Sequence, residues 1–162
     1  MRIDFQVHGL KELHDALIKL PKELVAKNGG VVKAALMAAT KPVLDTAKST
    51  IPDRDEIPNK GQLADAIGRR RSSKSGNGTE GVQVFIRKGK SRDDPSGAFY
   101  APWVEFGAKG LAPTRWFTKS LESNVQKSTQ IFRTRLAGSI ARIAKKIGND
   151  NLRAVAMKVK KQ

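Results

Sequence analysis

Ile3, Phe5 and Val7 alternate with polar residues at the start of the chain, the two-residue period of a half-buried strand, and Gly9 ends it. From Leu10 the period changes. Leu10, Leu13, Leu17, Leu20 and Leu24 recur at spacings of three and four, which places them on one stripe of an amphipathic helix. Pro21 suits a first-turn position that restarts this helix, and Asn28-Gly29-Gly30 marks a break. Val32, Ala35, Leu36, Ala39, Val43 and Ala47 form a second stripe of mostly small residues, predicting a helix over 31–50 that approaches its neighbours closely. Pro42 inside it removes one backbone donor and predicts a kink.

Between Ile51 and Gly81 the pattern gives way to Pro, Gly, Asp, Asn, Ser and Arg. This reads as a long flexible loop, interrupted by the short helical motif Gln62–Ile67 and loosest at Ser72–Gly78. Val82–Arg87 then reads as a strand and Ala98–Phe106 as a second, joined by a charged tip at Lys88–Gly97, so that 82–106 is expected to be an antiparallel hairpin. Phe117, Leu121, Val125, Phe132, Leu136, Ile140, Ile143 and Ile147 hold one face of a helix from Pro113 to Ile147, about 50 Å at 1.5 Å per residue. Residues 149–162 form a basic C-terminal tail. The expectation is one α+β domain over residues 1–162: a small antiparallel sheet packed against two long helices, with long mobile charged loops.

One stretch changes this picture from fold towards function. Tyr100-Ala101-Pro102-Trp103-Val104-Glu105-Phe106-Gly107, followed by Pro113-Thr114-Arg115-Trp116-Phe117, concentrates aromatics in a chain that has few. It resembles the phage head–tail joining proteins of the long-tailed, lambdoid type, also called tail-component, tail-completion or neck proteins. These carry Tyr-Ala-x-x-Val-Glu-x-Gly followed by a proline and an aromatic helix start. Their upstream Pro, Gly-x-Leu and Ile or Leu match Pro52, Gly61, Leu63 and Ile67, and the opening Gly9-Leu10-Lys11-Glu12-Leu13 is similar too, so the resemblance runs along almost the whole chain. It implies a non-enzymatic virion component at the head–tail junction, made in the host cytoplasm, that forms a hexameric ring on the tail axis. Its implied partners are copies of itself, tail-tube, tail-terminator or head-connector proteins, and packaged DNA. Tyr100, Trp103, Glu105, Phe106, Gly107, Pro113, Trp116 and Phe117 would be its structural and interface motif.

Charge narrows the partners. Thirty-one basic residues against 15 acidic ones leave a net +16, which calls for a polyanion or an acidic protein surface nearby. Arg69, Arg70, Arg71, Lys74, Lys88, Lys90 and Arg92 cluster in one region and are candidates for contact with DNA or an acidic surface. A second run, from Arg133 to Lys161, contains Asp150 as its one acid. No apolar run approaches a membrane span of about 18–20 residues, so no membrane partner is expected.

The inventory for catalysis, metals or cofactors is poor. There is no cysteine, and His8 and His14 are the two histidines. No metal-ligand spacing and no Gly-x-Ser-x-Gly occurs. Gly89-Lys90-Ser91 ends like a phosphate-binding loop, but Val84 stands where its first glycine belongs. Glu105, between Val104 and Phe106, would be costly to bury alone, which points to a salt bridge or a hydrogen bond to a basic group or backbone amide, in the same subunit or the next. Phe99, Tyr100 and Trp103 beside Lys90 and Arg92 could stack on single-stranded bases, although packing against the long helix through Trp116 and Phe117 is favoured. The alternative to an assembly protein is therefore a sequence-independent nucleic-acid-binding protein.

Overall fold

The computed structural model describes residues 2–5, 30–53, 60–72, 80–89, 94, 97–147, 153, 157 and 160. The helix expected over Leu10–Leu24, both histidines, the loop tract 73–79 and most of 90–96 lie outside the described residues, as does the tail over 149–162 apart from three positions. The elements are β1 (Arg2–Phe5), α1 (Gly30–Ala39), α2 (Lys41–Ser49), α3 (Lys60–Ala66), β2 (Ile67–Arg71), β3 (Val82–Ile86), α4 (Ala101–Phe106), α5 (Trp116–Glu122) and α6 (Val125–Ile147). The fold is α+β.

The sheet has the order β1-β3-β2, antiparallel throughout, with β3 in the centre. Ile3 faces Val84 on one side, and Arg69 faces Val84 on the other. Val82, Val84 and Ile86 share a face of β3 by the two-residue period and are all buried. Val82 joins Ala35, Leu36 and Ala39 of α1 and Phe132, Leu136, Ala137 and Ile140 of α6 in one hydrophobic cluster. Val84 and Ile86 join a second cluster with Val43 and Ala47 of α2, Leu63 and Ala66 of α3, Ile67, Tyr100, Val104, Trp116 and Phe117.

The small-residue stripe behaves as its spacing predicts, and the kink is a real break between α1 and α2 at Thr40. Pro42 lies in the first turn of α2, where its missing N–H costs least. The Thr40 hydroxyl donates to the carbonyls of Leu36 at 3.1 Å and Met37 at 3.2 Å, satisfying acceptors where the helix changes direction.

Three expectations are corrected. Ile67–Arg71 is a strand paired with β3 along its whole length, not part of a flexible loop. Gly68 accommodates the Phe85 ring, whose edge would lie 3.3 Å from an added Cβ. The Arg70 guanidinium sits 4.6 Å from the centre of the same ring, within cation–π range. The 82–106 hairpin is replaced by strand then helix. Its base does close, with Ala98 donating to the Arg87 carbonyl at 2.7 Å, but the chain then turns into α4 instead of running back along β3. The long C-terminal helix is two helices, α5 and α6, parted at Ser123 and Asn124. Asn124 occupies the break, its side-chain amide donating to the Ser120 carbonyl at 2.9 Å and to the Thr46 hydroxyl of α2 at 3.0 Å. Val125, which the continuous stripe placed in the core, is 47 % exposed.

Two substitutions in α6 test this packing. Leu136 is fully buried, so Leu136→Ala should lower unfolding free energy by about 2–5 kcal/mol. Gly138 is an exposed helix-interior glycine with open space around an added Cβ, so Gly138→Ala should raise it by about 0.5–1 kcal/mol. Chemical denaturation measures both.

Candidate functional site

The aromatic segment folds as two short helices joined by a tight return loop. Tyr100 precedes α4 and Pro102 falls in its first turn, a position that proline favours because its fixed φ suits a helix start. Ala101, Val104 and Glu105 turn inward, and Pro102, Trp103 and Phe106 turn outward. Gly107 then takes φ +84°, and a Cβ there would lie 2.8 Å from the Leu111 carbonyl oxygen and 3.1 Å from Pro113, so glycine is required. Ala108 and Leu111 exchange hydrogen bonds of 3.0 and 2.9 Å around Gly110, itself at φ +83°. The loop thereby brings the start of α5 back onto the end of α4.

Glu105 holds the two helices together. Its carboxylate is fully buried. One oxygen accepts from the Phe117 amide at 2.9 Å, and the other accepts from the Thr118 amide at 3.0 Å and the Thr118 hydroxyl at 2.5 Å. These amides belong to the first turn of α5, where backbone donors lack intrahelical partners and the helix dipole favours negative charge. A side chain ten or more residues upstream thus does the work that Ser or Asp usually does at the N-cap itself. The N-cap position is Arg115, in the left-handed region at φ 51°, a conformation that costs a non-glycine residue about 1–2 kcal/mol. It is held there because its amide donates to the Glu105 carbonyl at 3.0 Å, while the Thr114 hydroxyl donates to the Val104 carbonyl at 2.7 Å. Glu105 therefore binds through both side chain and main chain. Among the alternatives open to it, backbone amides of its own subunit are its partners.

Tyr100, Trp116 and Phe117 are buried beneath this lock, and burial pushes the Tyr100 phenol above its ordinary value. Trp103 is 52 % exposed and Phe106 63 % exposed. The favoured packing of Trp103 into the core is thus overturned: its ring instead meets Phe99 edge-on, with centroids 5.5 Å apart. Pro102, Trp103, Phe106 and Pro113 are each exposed on the module, as are Lys109 and Arg115 on its return loop.

Among the described basic candidates, the three arginines of β2 are each engaged within the fold. Arg71 makes a two-pronged bridge to Glu80, both bonds 2.8 Å, which raises its pKa. Arg69 donates to the Met37 carbonyl of α1, and Arg70 stacks on Phe85. Lys88 is exposed at the end of β3, and Lys74, Lys90 and Arg92 lie outside the described residues. Among the described residues no group of three His, Cys, Asp or Glu side chains converges, and no helix is long and apolar enough to cross a membrane.

Replacing Glu105 measures the lock directly. Glu105→Leu leaves the buried Phe117 amide and the part-buried Thr118 amide without their acceptor, and an unsatisfied buried donor costs about 1–3 kcal/mol, a large share of a typical domain stability of about 5–15 kcal/mol. Glu105→Gln keeps one acceptor but turns an N–H2 towards a donor, and should fall between parent and Leu. Denaturant melts of the three proteins give the order. A Glu105→Leu protein as stable as the parent would exclude the lock.

No curated protein and no solved structure gives a significant match to this chain. Residues 11–107, more than half of it, match the HK97-gp10-like family, described as "Bacteriophage HK97-gp10, putative tail-component". The matched stretch ends at Gly107, so the Glu105 side chain lies inside it and the amides it holds lie beyond. The chain belongs to this family of phage tail components, and its place is in the virion.

Proposed function

We propose that this chain is a one-domain assembly subunit of the head–tail junction, acting in tail completion without chemistry of its own. In this reading its copies form a six-membered ring on the tail axis, and the ring contacts tail-tube, tail-terminator or head-connector proteins. The observation that carries the reading is the exposed pair Trp103 and Phe106 on the rigid module built around Glu105. A small protein that leaves two large aromatics in water on a locked scaffold gains nothing from them as a monomer. Aromatics and arginine are the residues in which interface energy concentrates. Fixing them on a short helix also lowers the ordering entropy that association would cost.

Particle assembly tests this. Infection without the protein should yield DNA-filled heads and separate tails, or tails of defective length, while DNA replication continues. Trp103→Ala with Phe106→Ala should fold normally, since both side chains face water, yet fail to join. Truncating one central anchor costs about 2 kcal/mol or more, roughly thirtyfold in affinity. Normal yields of infectious particles from the double variant, seen by electron microscopy and titre, would defeat the proposal.

A further inference from the structure

Helix α6 contains no aspartate or glutamate from Val125 to Ile147. Its inward face, with Phe132, Leu136, Ile140 and Ala144, is buried, and the helical period turns Lys127, Arg135, Arg142 and Lys145 outward, all four exposed. Among the described residues none of the four is in an ion pair. From Lys127 to Lys145 the helix advances about 27 Å at 1.5 Å per residue. Thr134, Gly138 and Ala141 are the short exposed residues between, so a broad partner can approach the helix axis closely. At one end, Lys41 of α2, Gln130 and Thr134 line a shared groove with Lys127 and Arg135, in which Asp45 is the acidic member.

We propose that this face of α6 is a sequence-independent contact surface for the phosphate backbone of duplex DNA. The choice of DNA over an acidic protein follows from what the face carries. Between Lys127 and Lys145 no large hydrophobic side chain is exposed, whereas protein interfaces depend on such anchors at their centre. Phosphate contact needs only distributed cations and neutral hydrogen-bonding side chains, which Gln130 and Thr134 supply. The arginines of β2 are less suited, because Arg69 and Arg71 are already bonded within the fold and Arg70 is stacked. The inference stands on the α6 charges alone and does not depend on the head–tail reading.

The test is binding of the purified full chain to a short random-sequence duplex, followed by fluorescence anisotropy over a range of KCl concentrations. Each neutralised phosphate contributes about −0.9 to the slope of log K against log salt, so Lys127→Gln, Arg135→Gln, Arg142→Gln and Lys145→Gln together should reduce the slope by about 3.6. A control with the same charge loss at exposed Lys48, Lys88, Lys109 and Lys119, each to Gln, should keep the parental slope to within about one phosphate contact. Should the fourfold variant fold poorly, Arg135→Gln and Arg142→Gln singly should each lower the slope by about 0.9. An unchanged slope in the α6 variants, or an equal loss in the control, would overturn the proposal. So would binding to polyglutamate that is as strong as to DNA and falls equally with the α6 variants, which would reassign the face to an acidic protein.

Discussion

A single buried carboxylate organises the second half of this fold. Removing the Glu105 side chain from water carries a desolvation cost of several kcal/mol, and three donors at 2.5–3.0 Å are what offset it. Two of them exist only if α5 begins at Trp116 and points its first turn at α4. The carboxylate therefore fixes helix start, helix direction and loop geometry together. The left-handed backbone at Arg115 and the positive φ at Gly107 are the local costs of that arrangement.

This lock also explains why the outward aromatics are so well defined. Trp103 and Phe106 are one residue away from Val104 and Glu105, whose carbonyls are bonded to Thr114 and Arg115. With main chain and inward side chains both held, the outward ones are presented from a fixed backbone. The polar contacts from Asn124 and Ser120 to Thr46 and Thr50 then tie α5 to α2, and through α2 to the core.

Much of this was legible in the chain. The stripe through Ala35, Ala39, Val43 and Ala47 and the break near Pro42 follow from period and from a missing donor, which act locally. That Glu105 needs a hydrogen-bonding partner follows from its apolar neighbours. The partner's identity does not, because Phe117 and Thr118 are brought to it by the loop. Ile67–Arg71 was hidden because Ile67 is its one strand-favouring residue, followed by a glycine and three arginines with no apolar alternation; pairing with β3 and the Phe85 ring create it. In Ala98–Phe106 the β-preferring aromatics masked a helical signal, the inward spacing of Ala101, Val104 and Glu105 with Pro102 at the start. The division of α5 from α6 was obscured by Val125, whose hydrophobicity keeps the stripe in phase across a turn that Asn124 makes.

The position of β2 has a consequence for how copies of this protein can meet. In the described sheet β2 is an edge strand, and three of its five residues are arginine. An open edge is a template for another strand, and consecutive charges along it discourage a second identical edge from pairing there. Sheet growth from subunit to subunit is disfavoured on this side. The same three side chains hold their own strand in place, through the Met37 carbonyl, the Phe85 ring and the Glu80 carboxylate.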